Sequence, residues 1–267
     1  MITLQDLLDS KTDLFKNSRV KLVQHKDGRE EYRELIKHRD TLLKYQAEQI
    51  SPVFHGCDYI ISLIGKERRK SILFGIFKVH GFEELNVRYF YNLEQVHEFD
   101  YLADRVVIDW GKAAINWHQW YNQTKEVVEI LPAGYLGNFP GLLGFVLEAD
   151  ELQKLINNPE ANADWKHHLS AVNGVYLILD RKTGLQYISS ACGKEGIWQR
   201  WSEYAKIWYG GNTELKKLYD EDAGYNRHFY YCVLQALPSN VTQREIVKIE
   251  NLYKEKFGSR MHGLNLN

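Results

Sequence analysis

The apolar residues of this chain gather into short runs, each closed by a glycine or a charged turn, a spacing that suits small sheets better than long helices. Tyr59-Ile-Ile-Ser-Leu-Ile ends at Gly65, and Ser71-Ile-Leu-Phe-Gly-Ile-Phe-Lys-Val ends at His80-Gly81. The charged link Lys66-Glu-Arg-Arg-Lys70 lies between them, which predicts a strand pair joined by a solvated turn. Arg88-Tyr-Phe-Tyr, Arg105-Val-Val-Ile-Asp-Trp and Val127-Val-Glu-Ile-Leu are further strands by pattern. Val20, Leu22 and Val23 form a short one ended by Asp27-Gly28, and Trp117-His-Gln-Trp120 reads as a loop or turn. Helix is expected at Leu4, Leu7, Leu8 and again from Glu31 to Ala47.

The pattern changes after Ala149. A short helix to Ile156 meets the breaker Asn157-Asn-Pro-Glu-Ala-Asn-Ala-Asp, which reads as a linker. From Asn173 two strands, Gly174–Leu179 and Leu185–Ser189, flank the turn Asp180-Arg-Lys-Thr-Gly184. A strand around Phe229–Leu237 follows, then a helix from about Thr242 to Phe257, where Thr242 precedes Glu245 by three residues as in a capping box. The expected fold class is α+β in two domains. Residues 1–160 form an N-terminal helix plus a curved, barrel-like β domain, and residues 161–267 form a small mixed sheet flanked by helices.

With 267 residues, 44% apolar and 26% charged, the chain is neither disordered nor collagen-like, and its length suits two domains. No apolar run approaches the roughly 18 residues that cross a bilayer, so no membrane partner is expected. The start lacks a basic leader. Cys57, Cys192 and Cys232 are odd in number and far apart, which argues against a disulfide framework or thiolate zinc site and for a cytoplasmic setting. Net charge is −1, which excludes a blanket polyanion binder. From Asn173 onward 13 Lys and Arg stand against 10 Asp and Glu, a balance that permits a polyanion partner there.

Several familiar sites are absent: no GxxxxGK[ST] loop, no HExxH, no GxSxG. His167-His168 lacks metal-ligand spacing. Five elements in residues 173–267 stand out instead. Gly174-Val-Tyr176 is followed eleven positions later by Tyr187-Ile-Ser189. Gly196-Ile-Trp-Gln-Arg200 opens a helix, Glu250 lies inside Lys248-Ile-Glu-Asn-Leu-Tyr253, and the tail reads Gly263-Leu-Asn-Leu-Asn267, with Asn265 at its centre. In order and spacing this stretch resembles the GIY-YIG nuclease superfamily, with one departure: Ser189 stands where the second element ends in glycine.

The resemblance implies a divalent-metal-dependent DNA endonuclease, with double-stranded DNA as partner and Mg²⁺ or Mn²⁺ as cofactor. Its site residues would be Tyr176, Tyr187, Arg200, Tyr204, Glu250 and Asn265, with Glu250 on the metal. A physical argument runs beside it. The Asp180–Gly184 turn would bring Tyr176 near Tyr187, Arg200 and Tyr204 share a helix face at i,i+4, and Glu250 comes from another helix. Phenols to handle a proton, a guanidinium for phosphorane charge and a carboxylate for a hard cation suit phosphodiester hydrolysis. Plainer readings exist for each residue: Tyr favours strands anyway, Trp198 and Trp201 suit a core, and Glu250 can pair with Lys254 on an exposed helix face. At residue 189, a negative φ and an intact hairpin are expected.

In the first part, aromatic and basic residues interleave. Trp110, Trp117, Trp120 and Tyr135 are candidate stacking faces for bases, and Arg68, Arg69 and Lys70 are candidate phosphate contacts. Phe54-His-Gly-Cys-Asp-Tyr-Ile-Ile-Ser-Leu-Ile with Phe74-Gly-Ile-Phe-Lys-Val resembles PUA-like base-reading barrels. Together the two resemblances suggest a restriction or phage-defence nuclease whose first domain holds a modified or flipped base in an aromatic-lined pocket. A degraded nucleic-acid-binding module, or a repair or mobile-element nuclease, are the competing readings. The oligomeric state stays open, a dimer on DNA included.

Overall fold

The computed structural model describes residues 1–29, 32, 35–36, 39–112 and 116–266. The chain divides into two compact units, Met1–Ala133 and Gly134–Asn267.

The first unit is one curled sheet with short helices. Its elements are α1 (Leu4–Asp9), β1 (Val20–His25), α2 (Arg39–Ala47), β2 (Glu48–Gln49), β3 (Tyr59–Gly65), β4 (Lys70–Leu85), β5 (Arg88–Gln95), β6 (Val106–Asp109), β7 (His118–Trp120) and β8 (Val127–Ile130). Strand order is β2-β5-β4-β3-β1-β7, with β6 on β4 and β8 on β6. The central runs are continuously apolar because the sheet is covered on both faces. Leu22, Ile61, Leu63 and Leu73 pack on one side with Leu4, Leu8 and Phe15. Val23, Ile60, Phe74 and Phe77 pack on the other with Leu42 and Phe54.

Three sequence expectations change here. Of Trp117–Trp120, His118–Trp120 is not a loop but strand β7, which pairs antiparallel with β1, and β1 pairs parallel with β3. The strand at Ser71 does not stop at His80-Gly81 but runs on to Leu85, absorbing the interruption as an irregularity between Val79 and Phe82, with Gly81 at φ +128. Of the helix expected from Glu31, Arg39–Ala47 is seen as α2, and Glu31 itself lies outside the described residues.

The second unit has β9 (Leu147–Glu148), α3 (Ala149–Asn157), α4 (Ala163–Ser170), β10 (Asn173–Asp180), β11 (Gln186–Ala191), α5 (Gly196–Ile207), α6 (Thr213–Glu221), β12 (Phe229–Leu237), α7 (Gln243–Phe257) and α8 (Ser259–His262). The sheet runs β11-β10-β12-β9 and is antiparallel throughout rather than mixed. The Asp180–Gly184 turn closes as expected: Asp180 accepts from Lys182 N and Thr183 Oγ1, and Gly184 N donates to the Asp180 carbonyl at 2.7 Å. The Thr242–Glu245 capping box is present at the start of α7. Residues 134–160, grouped by sequence with the first part, belong to this unit. Asn162 in the supposed linker is buried and bonds Leu136 N and Gly134 O. One face of the sheet packs α3, α4 and α5 through Trp165, Trp201 and Tyr231; the other packs α7 through Ile188 and Ile246.

A buried polar chain crosses the first unit's core. His25 bonds Gln46 Oε1 at 2.8 Å, and Ser62 donates to the same oxygen. Burial holds the His25 ring below its ordinary pKa, outweighing the Gln46 bond. The unfolded chain takes that proton near pH 6.5 and the folded one does not, so stability intact above that pH is lost as pH falls below it. Urea unfolding followed by tryptophan fluorescence should show a falling midpoint between about pH 7 and about pH 5.5, and His25→Gln should flatten that slope.

Candidate active site

Helix α5 begins where only glycine can stand. Gly196 has φ +46, and a Cβ there would lie 1.8 Å from the Val172 carbonyl oxygen, while Ile197 N donates to that same oxygen at 3.1 Å. The helix is thereby pinned to the approach of β10, and Arg200, one turn in, reaches the strand. Its Nε donates to the Tyr176 hydroxyl at 3.2 Å, Nη2 to the Tyr204 hydroxyl at 3.3 Å, and Nη1 to Glu203. The two phenols bond each other at 3.1 Å. A guanidinium has five N–H donors, so after these three bonds two remain to meet a phosphate.

Tyr176 and Tyr204 are both 0% exposed, among Trp201 and Tyr231. Burial pushes the Tyr176 phenol up to about 12, and burial likewise lifts Tyr204 well above the usual range. Neither is a phenolate base near neutral pH; they hold the guanidinium. Burial works against the Arg200 charge, but the Tyr176 and Tyr204 oxygens outweigh it and keep the group protonated. Tyr187 differs. It pairs with Ile178, so it shares the Tyr176 face, and its hydroxyl makes no hydrogen bond among the described residues. It is the phenol left free to meet a water.

Residue 189 carries no positive φ and pairs with Tyr176 inside an unbroken ladder. The hairpin is intact, and Ser189 stands directly opposite Tyr176 on the same face of the sheet. Because strand side chains alternate, the next residue faces the other way. Ser190 donates to Glu250 Oε2 at 2.5 Å, and Lys254 Nζ sits 2.7 Å from Glu250 Oε1. The expected gathering of four groups is therefore split across β11. Tyr176, Tyr187, Tyr204 and Arg200 lie on one face; Glu250 meets the strand's other face, with no bond to Arg200 or the tyrosines among the described residues. The Glu250–Lys254 pair foreseen for an exposed helix face is instead buried, with side chains 14% and 6% exposed. Removing one partner of such a pair costs about 3–5 kcal/mol, whereas the more open Arg200–Glu203 pair is worth about 0–1 kcal/mol.

Asn265 takes a position the sequence did not suggest. Its amide accepts from Ile188 N at 2.9 Å and donates to Ile188 O at 2.8 Å, standing in for a neighbouring strand on the open side of β11. It positions the edge rather than touching the charged groups.

No cluster of three or more His, Cys, Asp or Glu able to hold a metal occurs among the described residues. Glu250 beside the Ser190 hydroxyl is a hard-oxygen pair. It fits a cation of the kind taken by one carboxylate and completed by waters and substrate oxygens.

The first unit's candidates scatter. Trp110 is 1% exposed, its indole donating to Asn116 O and its ring covered by the buried Lys125 ammonium at 5.0 Å, so it stacks on no base. Arg69 pairs with Asp109 and Lys70 with Glu129, while Arg68 sits exposed in the turn at φ 55. Trp120 is exposed under Lys21. Tyr135 lies in the second unit, bonded to Asn138. Trp117 alone of the four lines a cavity of about 600 Å³, with Tyr32, Tyr45, His25, Asp27, Arg88 and other residues. Sequence reasoning missed Glu203 and Ser190; the only signal was helical i,i+3 spacing from Arg200 and the strand alternation that turns residue 190 toward α7.

No family model matches the chain, and no curated protein sequence matches it. Two solved structures of the catalytic domain of the intron homing endonuclease I-TevI, one of them a mutant, are similar to it at 19% and 20% identity. They cover 36% of this chain and 94% and 98% of theirs, each with a TM-score of 0.29.

Two tyrosine variants separate the roles. Tyr176→Phe removes a partner from Arg200 and Tyr204 and should destabilise the unit by about 1–2 kcal/mol in urea unfolding, whereas Tyr187→Phe should leave stability unchanged. Asn265→Ala should speed hydrogen exchange at the Ile188 amide while leaving β10 amides protected.

Proposed function

We propose that the chain is a divalent-cation-dependent DNA endonuclease of GIY-YIG type, with the second unit catalytic. The observation that carries this reading is the buried phenol pair, Tyr176 of β10 and Tyr204 of α5, that fixes the Arg200 guanidinium with two donors to spare, beside strand β11, which bears a free phenol on that face and meets the Glu250 carboxylate of α7 on its reverse face. In this reading Arg200 binds the scissile phosphate and stabilises charge as the phosphorane forms. Tyr176 and Tyr204 hold it in place, so no reorganisation is needed during reaction. The Tyr187 hydroxyl orients the attacking water and relays its proton. Glu250 and Ser190 would hold a Mg²⁺ or Mn²⁺ ion, which when bound supplies Lewis-acid stabilisation of the leaving oxygen. Asn265 keeps β11 in register.

The first unit is proposed as the specificity domain of a restriction or phage-defence enzyme acting on double-stranded DNA. Its cavity supports this. Among the described lining residues Lys26 and Arg88 balance Asp27 and Glu48, so it suits a neutral flat ring better than a phosphate. Trp117 and Tyr45 offer faces for a flipped or modified base. Non-catalytic DNA binding is the second reading, favoured by the complete burial of Tyr176 and Tyr204.

Plasmid nicking with Mg²⁺, with and without EDTA, tests the two. Nicking that EDTA abolishes supports the enzyme; DNA binding without nicking supports the second reading. Arg200→Ala and Tyr187→Phe should each lower the rate about 10²-fold or more with DNA binding retained. Glu250→Gln should do the same, with its melting followed in parallel because the change removes the buried Glu250–Lys254 ion pair. Trp117→Ala should leave nicking of bulk DNA intact and reduce discrimination between modified and unmodified phage DNAs.

A further inference from the structure

Lys254 occupies the carboxylate on which the cation reading depends. Both Glu250 oxygens are engaged, Oε1 by the Lys254 ammonium at 2.7 Å and Oε2 by the Ser190 hydroxyl at 2.5 Å. The pair is i,i+4 on α7, so the helix itself presents the ammonium to the carboxylate. Both side chains are largely out of water, and no second acidic ligand completes a cluster among the described residues. The Lys254 ammonium thus offsets the Glu250 charge at the carboxylate itself, and a hard dication would have to compete with it for Oε1.

We infer that Lys254 is a resident cation that keeps Mg²⁺ or Mn²⁺ off Glu250 until a DNA phosphate arrives to supply the missing negative charge. This rests on Glu250 being the cation ligand. Lysine suits the task because its ammonium is a compact point charge on a flexible stem, able to swing off one oxygen without disturbing the helix. The Ser190 hydroxyl keeps the other oxygen oriented meanwhile. Cation binding and DNA binding are then coupled, each raising the affinity for the other.

The test reads Mn²⁺ binding to the full chain, by the loss of the free-ion EPR signal and by the Mn²⁺-induced rise in melting temperature, independently of cleavage. Lys254→Met keeps the stem and removes the charge. It should bind Mn²⁺ about tenfold or more tightly than the wild type and gain melting temperature in Mn²⁺, while the DNA-free wild type gains none. The double variant Glu250→Gln with Lys254→Met, which removes both charges, should fold and lose that binding. Equal Mn²⁺ affinity in wild type and Lys254→Met overturns the inference, as does tight binding that survives in the double variant. If Lys254→Met unfolds, recovery of its fold on adding Mn²⁺ supports the inference, and failure to recover overturns it as a purely structural role. Absence of nicking in every variant would count against the nuclease reading while leaving the Mn²⁺ result standing. A nicking wild type with unchanged Mn²⁺ affinity in Lys254→Met would remove this inference alone.

Discussion

The groups that β11 contributes to the second unit's site depend on one open strand edge being closed by the Asn265 amide and the Leu264 backbone. Strand β11 pairs with β10 on one side only. On the other, Asn265 satisfies both the N–H and the C=O of Ile188, and Leu264 N donates to Gln186 O at 2.8 Å. Without these bonds the edge would present unpaired backbone to solvent, and its register would be held from one side alone. Register matters here more than in most strands. A slip of one residue would send Tyr187 and Ser189 to the α7 face and Ser190 to the Arg200 face, and both halves of the site would come apart together.

The strand also explains why the charged groups are so fully partnered. Arg200 is held by two phenols and Glu203, Glu250 by Ser190 and Lys254. A buried charge persists only with a partner, and here the chain supplies its own. The two latches are unequal: the Glu203 contact is half open to water and yields easily, whereas the Lys254 contact is sealed.

Local chemistry was the legible part of the sequence. The Asp180–Gly184 turn, the Thr242–Glu245 cap and most strands followed from side chains that act on their immediate neighbours. The α+β class and the curled first sheet followed from run length. What escaped required partners distant in sequence. Trp117–Trp120 has too few apolar residues to announce a strand, and only its place beside β1 makes it one. Trp110 reads as an aromatic among basic residues, yet its neighbour in space is Lys125, buried against its face. The motif residues were legible as a set, but their division between two faces was not, because a motif records order along the chain and says nothing of which way residue 190 points. The Gly-to-Ser change at 189 looked like a loss; in the fold Ser189 keeps a negative φ and pairs with Tyr176 in an unbroken ladder.

The Asn265 clamp joins residues 77 positions apart. Contacts of that span close late, after the hairpin and the helices it packs against have formed, because loop-closure entropy must be overcome first. A partly folded chain thus holds Tyr187 and Ser190 on a strand with one loose edge, with neither face in final register. The order of assembly acts as a timing device: the two faces of β11 come into register only once the rest of the unit is already in place.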